Sequence, residues 1–261
     1  MITSLQNPAV KNIVKLSKNK ERQRQQLFMI EGARELSLAL QSHYAIDSVY
    51  VCRQMLAKTK YPQVLDSIPD KLVYEISPEV FAKIAYRENS DGLVALSKPK
   101  AHALSDLQLS GNPFIVVLEA VEKPGNLGAI LRTCDAAAVD ALIVCDPQTD
   151  LYNSNVIRSS VGGLFTVQTA ACTSSEAMSW LDAHSIHTFA AELTAAEFYQ
   201  NIDFTHPSAI IMGTEADGLT DAWLQYAGNR IKIPMRGKID SLNVSVSAAI
   251  LIFEAMRQRG F

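Results

Sequence analysis

Three stretches in the second half of the chain hold polar side chains that a hydrophobic core has no use for. The first, Glu122-Lys123-Pro124-Gly125-Asn126-Leu127-Gly128-Ala129-Ile130-Leu131-Arg132, follows an apolar run and leads into a helix. Backbone N–H groups at such a helix start suit an anion. Glycines that only close a turn explain the same residues, since the stretch is neither G-x-G-x-x-G nor a P-loop. Arg132 stands on a helix otherwise built of Leu, Ile, Ala and Cys; its fork of donors suits a phosphate, and extension into solvent is the plain alternative. The second stretch, Gly213-Thr214-Glu215-Ala216-Asp217-Gly218-Leu219, follows the apolar run 209–212, and ligands of open sheets gather beyond the carboxyl ends of strands. There Glu215 can orient a hydroxyl or an amine, or cap the helix that starts near Thr220. The third stretch, residues 233–249, sets Ser241, Asn243, Ser245 and Ser247 around one helix start. N-capping uses one or two of them and leaves the others over.

The elements that must position these residues can be read from apolar patterning. Runs 114–118 and 141–145 are apolar without alternation, as strands covered on both faces of a parallel sheet are. Between them the pattern predicts a helix over 126–138 with Leu127, Ile130, Leu131 and Cys134 on its buried stripe. Runs 188–191, 209–212 and 230–233 continue the strand series, and 244–257 is a closing helix. Strand–helix alternation over about 150 residues predicts an open α/β domain. Ahead of it, Asn7-Pro8 reads as a helix start, followed by strands at 27–30, 48–52, 71–76 and 92–97 and helices at 33–41 and 78–85. These make a small α/β domain, joined through a linker over 99–112. The expected boundaries are a basic helical arm at 1–24, a first domain at 25–98 and a second at 113–261.

Composition narrows the class. With 48% hydrophobic and 20% charged residues, disorder and collagen-like order are excluded. The longest apolar runs are far shorter than the roughly 20 residues a membrane helix needs. No basic stretch followed by an apolar one opens the chain, so the expected compartment is the cytoplasm. The four cysteines show no C-x-x-C pair and no His at ligand spacing, which suits free buried thiols and no metal site. Residues 1–100 carry 15 basic against 10 acidic side chains, whereas residues 101–261 carry 9 against 17. Lys11, Lys15, Lys18, Lys20, Arg22 and Arg24 face only Glu21 in the arm. That arm suits a polyanionic partner, and a solvated basic helix explains it equally well.

In order and spacing the three stretches resemble the SpoU (TrmH-like) family of RNA ribose 2′-O-methyltransferases: N-x-G-A-x-x-R, G-x-E-x-x-G-L and I-P-M-x-G…S-L-N-V-S-x-A match its three motifs over residues 112–259. The first domain, with Phe28-Met29-Ile30-Glu31-Gly32 and Asp91-Gly92-Leu93-Val94-Ala95, is similar to the family's L30e-like substrate-binding domain. The resemblance implies a trefoil-knotted open parallel-sheet catalytic domain of SPOUT type that works as a homodimer through its C-terminal domain. It implies S-adenosylmethionine as methyl donor without a metal, held by Gly213, Gly218, Ile233, Met235 and Leu242, with Leu193 adding to the pocket. Asn126, Arg132, Glu215, Ser241 and Asn243 would be the catalytic set, with Asn126 and Arg132 facing the cofactor of the other subunit. The family arginine is often described as the general base. Because an arginine in a protein stays protonated, Arg132 is better read as gripping a phosphate and favouring ionisation of the hydroxyl.

RNA is the expected partner, ribosomal RNA ahead of transfer RNA, with Lys11, Lys15, Lys18, Arg22, Arg24 and Arg132 on its phosphates. A non-catalytic RNA-binding ribosome-assembly factor of the same fold is the alternative, and the intact motif residues speak against it. A nucleotide-dependent dehydrogenase lacks its glycine fingerprint and ribose-holding acid, and a hydrolase lacks G-x-S-x-G.

Overall fold

In chain order the computed structural model, which describes residues 1–86 and 90–260, runs α1 (Pro8–Lys15), α2 (Asn19–Gln25), β1 (Phe28–Glu31), α3 (Ala33–Gln41), β2 (Ile46–Val51), α4 (Arg53–Leu56), β3 (Val73–Glu75), α5 (Pro78–Ile84) and β4 (Leu93–Ser97). It continues with β5 (Phe114–Glu119), α6 (Pro124–Ala136), β6 (Ala141–Cys145), α7 (Ser154–Ser160), α8 (Gly163–Thr166), β7 (Thr169–Cys172) and α9 (Ser174–Ala183). The closing elements are β8 (His187–Ala191), β9 (Glu197–Phe198), β10 (Ser208–Met212), α10 (Asp221–Tyr226), β11 (Asn229–Lys232) and α11 (Val244–Arg259). The chain divides into two units, one of residues 1–101 and 150–166, the other of residues 102–149 and 167–261.

The first unit is built on a four-stranded sheet in the order β1-β4-β2-β3. Central β4 is buried along its whole length and pairs antiparallel with β1 and β2. Helix α1 starts where Asn7 accepts a hydrogen bond from the Ala9 N–H at 2.8 Å, with Pro8 in the first turn, a cap worth about 1 kcal/mol. Its apolar stripe is core: Val10, Ile13 and Leu16 are buried with Met29, Phe81 and Leu96. The basic stretch is therefore no freestanding arm. Lys11, Lys15, Lys18 and Arg24 stay exposed, and Arg24 pairs with Glu21 at 2.6 Å.

Arg22 differs from the sequence expectation. It is 5% exposed, its Nε donates to Asp150 at 2.6 Å, and its Nη1 donates to the carbonyls of Leu16 and Ser17 at 2.9 Å each. All of these are internal acceptors, so the side chain is committed to the fold and does not reach a phosphate. Asp150 opens the segment 150–166, which sequence reading placed with the second domain and which belongs to the first unit. Tyr152 stacks on Phe28 at 4.1 Å between ring centroids, Phe165 meets Tyr44 edge-on at 5.1 Å, and the Tyr44 and Tyr152 hydroxyls lie 3.3 Å apart. Burial raises both phenols above the usual tyrosine range. Such aromatic packing outweighs sequence proximity.

The second unit carries a seven-stranded sheet in the order β7-β6-β5-β10-β8-β11-β9, parallel at every pairing. Strands β5, β6 and β10 are fully buried, as their unalternated sequences require. From β5 the chain winds outward through β6 and β7; β8, β10 and β11 occupy the other side. The order reverses between β5 and β10, the crevice where open sheets bind ligands. Glu119, at the end of β5 and 4% exposed, accepts from the Thr220 N–H at 2.9 Å and its hydroxyl at 2.7 Å, tying the loop after β10 to β5. Helix α11 packs on α6 and β10. The four cysteines are free.

Replacing Arg22 by Ala strands the half-buried Asp150 carboxylate and two carbonyls. We expect a loss of about 3 kcal/mol in chemical unfolding, while Lys11→Ala, at an exposed position, stays within about 0.5 kcal/mol of the parent.

Candidate active site

All three polar stretches follow strands of the same sheet, after β5, β10 and β11, and parallel pairing brings them out along one edge. Glu215 joins them. Its Oε1 accepts from Asn126 Nδ2 at 2.9 Å and from Asn243 Nδ2 at 2.5 Å, and its Oε2 receives the Lys123 ammonium. Asn243 Nδ2 also lies 3.2 Å from Asn126 Oδ1, so one carboxylate and two amides close a small polar ring. Lys123 and the Asn126 hydrogen bond hold the Glu215 carboxyl below the usual carboxylate range, the lysine contributing most.

Local sequence explains each member's place. Pro124 starts α6 and puts Asn126 in its first turn. Asn243 caps α11, its Oδ1 accepting from the Ser245 N–H at 3.0 Å and hydroxyl at 2.6 Å; that uses Ser245 as a helix-start residue. The loop holding Glu215 folds back on itself through Thr214 and Gly218, paired N–H to C=O both ways at 3.0 and 3.2 Å. Gly218 has φ +71°, and a Cβ on Gly213 would sit 2.0 Å from the Gly218 carbonyl oxygen, so both positions require glycine. The capping role left open for Glu215 falls to Glu119 instead.

Beside the ring opens a cavity of 330 Å³, within the size range of small-molecule sites. Leu193, Gly213, Gly218, Ile233, Met235 and Leu242 all line it, as do Ser241 and Ser247. Its walls are mainly apolar, with loop backbone contributing the polar groups. A second hollow of 70 Å³ shares the wall from Gly213 to Ala216 and Val244, and is lined further by Lys123 and Asn126. The ring thus stands between two concavities of the same unit.

Asn126 is held by Glu215 and Asn243 of its own chain. Arg132 lies one and two-thirds turns further along α6, exposed, and makes no hydrogen bond among the described residues. The structure does not bring it to the ring. Sequence reading missed Lys123, which looked like part of a turn, and Glu192 and Thr194 on the cavity wall. An acid directly after a strand was the available signal for Glu192. Among the described residues no cluster of three or more His, Cys, Asp or Glu is placed to hold a metal ion, and no helix is long and apolar enough to cross a membrane.

A parallel sheet with a ligand crevice at its order reversal, and a polar ring set between two hollows, defines the second unit as an α/β enzyme domain. Residues 113–253 match the SpoU rRNA Methylase family and residues 7–95 the MRM3-like substrate binding domain, and the chain belongs to the SpoU rRNA methylase family. A solved RNA 2′-O ribose methyltransferase is 40% identical over 99% of this chain and 98% of its own, with a TM-score of 0.88. An AdoMet-bound rRNA methyltransferase from Sinorhizobium meliloti is 30% identical over 98% and 97%, with a TM-score of 0.89. The 23S rRNA (guanosine(2553)-2′-O)-methyltransferase RlmP of Bacillus subtilis is 29% identical, covering 97% of both chains.

Because folding lowers the Glu215 pKa, the stabilisation it contributes is present above the ordinary carboxylate range and lost as the pH falls through the lowered value. Thermal unfolding from pH 7 to pH 3 is expected to show wild type above Glu215→Gln at neutral pH, with the gap closing on acidification. A gap constant across that range contradicts the linkage.

Proposed function

We propose that this chain, an RNA ribose 2′-O-methyltransferase by family, methylates ribosomal RNA in the cytoplasm. It would act as a homodimer with the knotted chain path that the sequence resemblance implies. The observation that carries the reading is the Glu215 ring: Glu215 lines both a cavity sized for a nucleoside cofactor and a smaller hollow, and holds Asn126 in the wall of the smaller one. Support for ribosomal over transfer RNA comes from the 23S rRNA specificity in the Bacillus subtilis relative's name and from the substrate-binding-domain match at residues 7–95.

S-adenosylmethionine, bound in the larger cavity, supplies an activated methyl group on a sulfonium. The cavity residues fit it: Ile233, Leu242 and Leu251 give apolar walls, and the Gly213 loop lets backbone approach closely. Asn126 and Asn243 keep their amides fixed through Glu215, and so can hold a ribose hydroxyl in line without reorganising. Ser241, exposed on the cavity rim, completes the hydrogen-bonding set. Arg132, exposed and without a hydrogen-bond partner among the described residues, is left to grip an RNA phosphate from its own chain or from a second subunit. Its positive charge favours the ionised hydroxyl, and the proton leaves to water.

Exposed Lys11, Lys15, Lys18 and Arg24 supply phosphate contacts that set affinity. For the dimer, α11 offers Val246 and Phe253, 47% and 41% exposed and two turns apart on one face.

The test is transfer of labelled methyl from S-adenosylmethionine to unmodified ribosomal and transfer RNA, followed by alkaline hydrolysis. Label in alkali-resistant dinucleotides from ribosomal RNA, reduced at least about a hundredfold by Asn126→Ala, is the expected result. Tight RNA binding with neither methyl transfer nor cofactor binding would overturn it in favour of a non-catalytic assembly factor.

A further inference from the structure

One carboxylate in the wall of the larger cavity takes no part in the ring or in the proposed reaction. Glu192 follows β8 directly, and its backbone is pinned by the Glu192 N–H donating to the Ile231 carbonyl at 2.9 Å. Its Oε1 is taken by the Thr194 hydroxyl. Its Oε2 is shut off from solvent and has no hydrogen-bond partner among the described residues. A buried acceptor left empty is costly and uncommon in native proteins, and calls for a partner that arrives with a ligand.

The surroundings narrow what that partner is. Arg230 Nη1 stands 3.8 Å from Oε2, too far for a hydrogen bond, while its Nε is committed to the Leu224 carbonyl at 3.0 Å. One positive charge thus already faces the carboxylate, and what it lacks is a short hydrogen-bond donor. Neighbouring cavity residues Leu193, Leu224 and Ile231 are apolar, so a neutral donor on an otherwise nonpolar ligand face fits better than a second cation. Sugar hydroxyls are such donors, and a vicinal diol presents two of them to one carboxylate.

We propose that Glu192 is a specificity residue of the cofactor cavity which accepts hydrogen bonds from the ribose hydroxyls of the bound nucleoside. The proposal rests on the reading of this cavity as the S-adenosylmethionine site. It selects for an intact ribose and leaves the methionine end to other groups.

Calorimetric binding tests it with three probes: S-adenosylmethionine, 5′-methylthioadenosine, which keeps the ribose and lacks the amino acid, and the 2′-deoxy counterpart of the latter. The expected result is that Glu192→Ala weakens the first two by about tenfold or more, and that Glu192→Gln, which keeps one acceptor oxygen, weakens them less. Wild type discriminates against the 2′-deoxy probe, and Glu192→Ala loses that discrimination, a pattern that general damage to the pocket does not produce. Melting temperatures of both variants, recorded alongside, separate lost binding from lost folding. Weakening confined to S-adenosylmethionine, with 5′-methylthioadenosine unaffected, overturns the proposal by assigning Glu192 to the amino-acid end. Unchanged binding of both overturns it as well. If wild type binds none of the three, the reading of the cavity itself fails.

Discussion

The Glu215 carboxylate is the contact on which the site depends. Lys123 and Asn126 follow β5 and Asn243 follows β11, more than a hundred residues later, and Glu215 accepts from all three. Two amides and an ammonium donate to its two oxygens, so the acceptor capacity of a single side chain is filled from three directions. Charge-assisted hydrogen bonds of this kind are about twice as strong as neutral ones, and their geometry fixes the amides that would face a substrate. Rigid placement of donors is the property that lets a protein favour a reaction without reorganising during it.

The sheet makes this convergence possible. Parallel pairing sends the loops after β5, β10 and β11 out along one edge, and the reversal of order between β5 and β10 opens the crevice they border. Glu119 extends the same logic one step inward by fastening Thr220 to the end of β5. Gly213 then allows the loop to close on Gly218 with no room for any side chain. Each layer holds the next: buried strands fix the loop origins, a buried acid fixes the loop path, and the loop presents Glu215.

The sequence made the strands readable wherever apolar runs were unbroken, as at Phe114–Glu119 and Ser208–Met212, because burial on both faces leaves no other composition. Helix α3 occupies the expected 33–41, and α6 and α11 begin or end within two residues of expectation. The motif residues were legible by type and spacing, and their clustering was not, since hydrogen bonds between residues 126, 215 and 243 leave no periodic signal. Arg22 shows the opposite failure. It looked like one of a row of solvated cations, and only the fold reveals Asp150 and two carbonyls waiting for it. Residues 150–166 were misplaced for a related reason: Tyr152 and Phe165 pack on aromatics more than a hundred residues earlier in the chain. Short edge elements such as Glu197–Phe198 are too small to carry a pattern at all.

The central claim is that Glu215 and Asn126 work as one unit. A double-mutant cycle in methyl-transfer kinetics tests it most directly, with Asn126→Ala, Glu215→Ala and the pair compared by kcat/KM. If the ring is a unit, the double variant is no slower than the slower single variant, since breaking either member already disorders the other. Losses that multiply, each substitution acting as though the other were absent, would contradict the account.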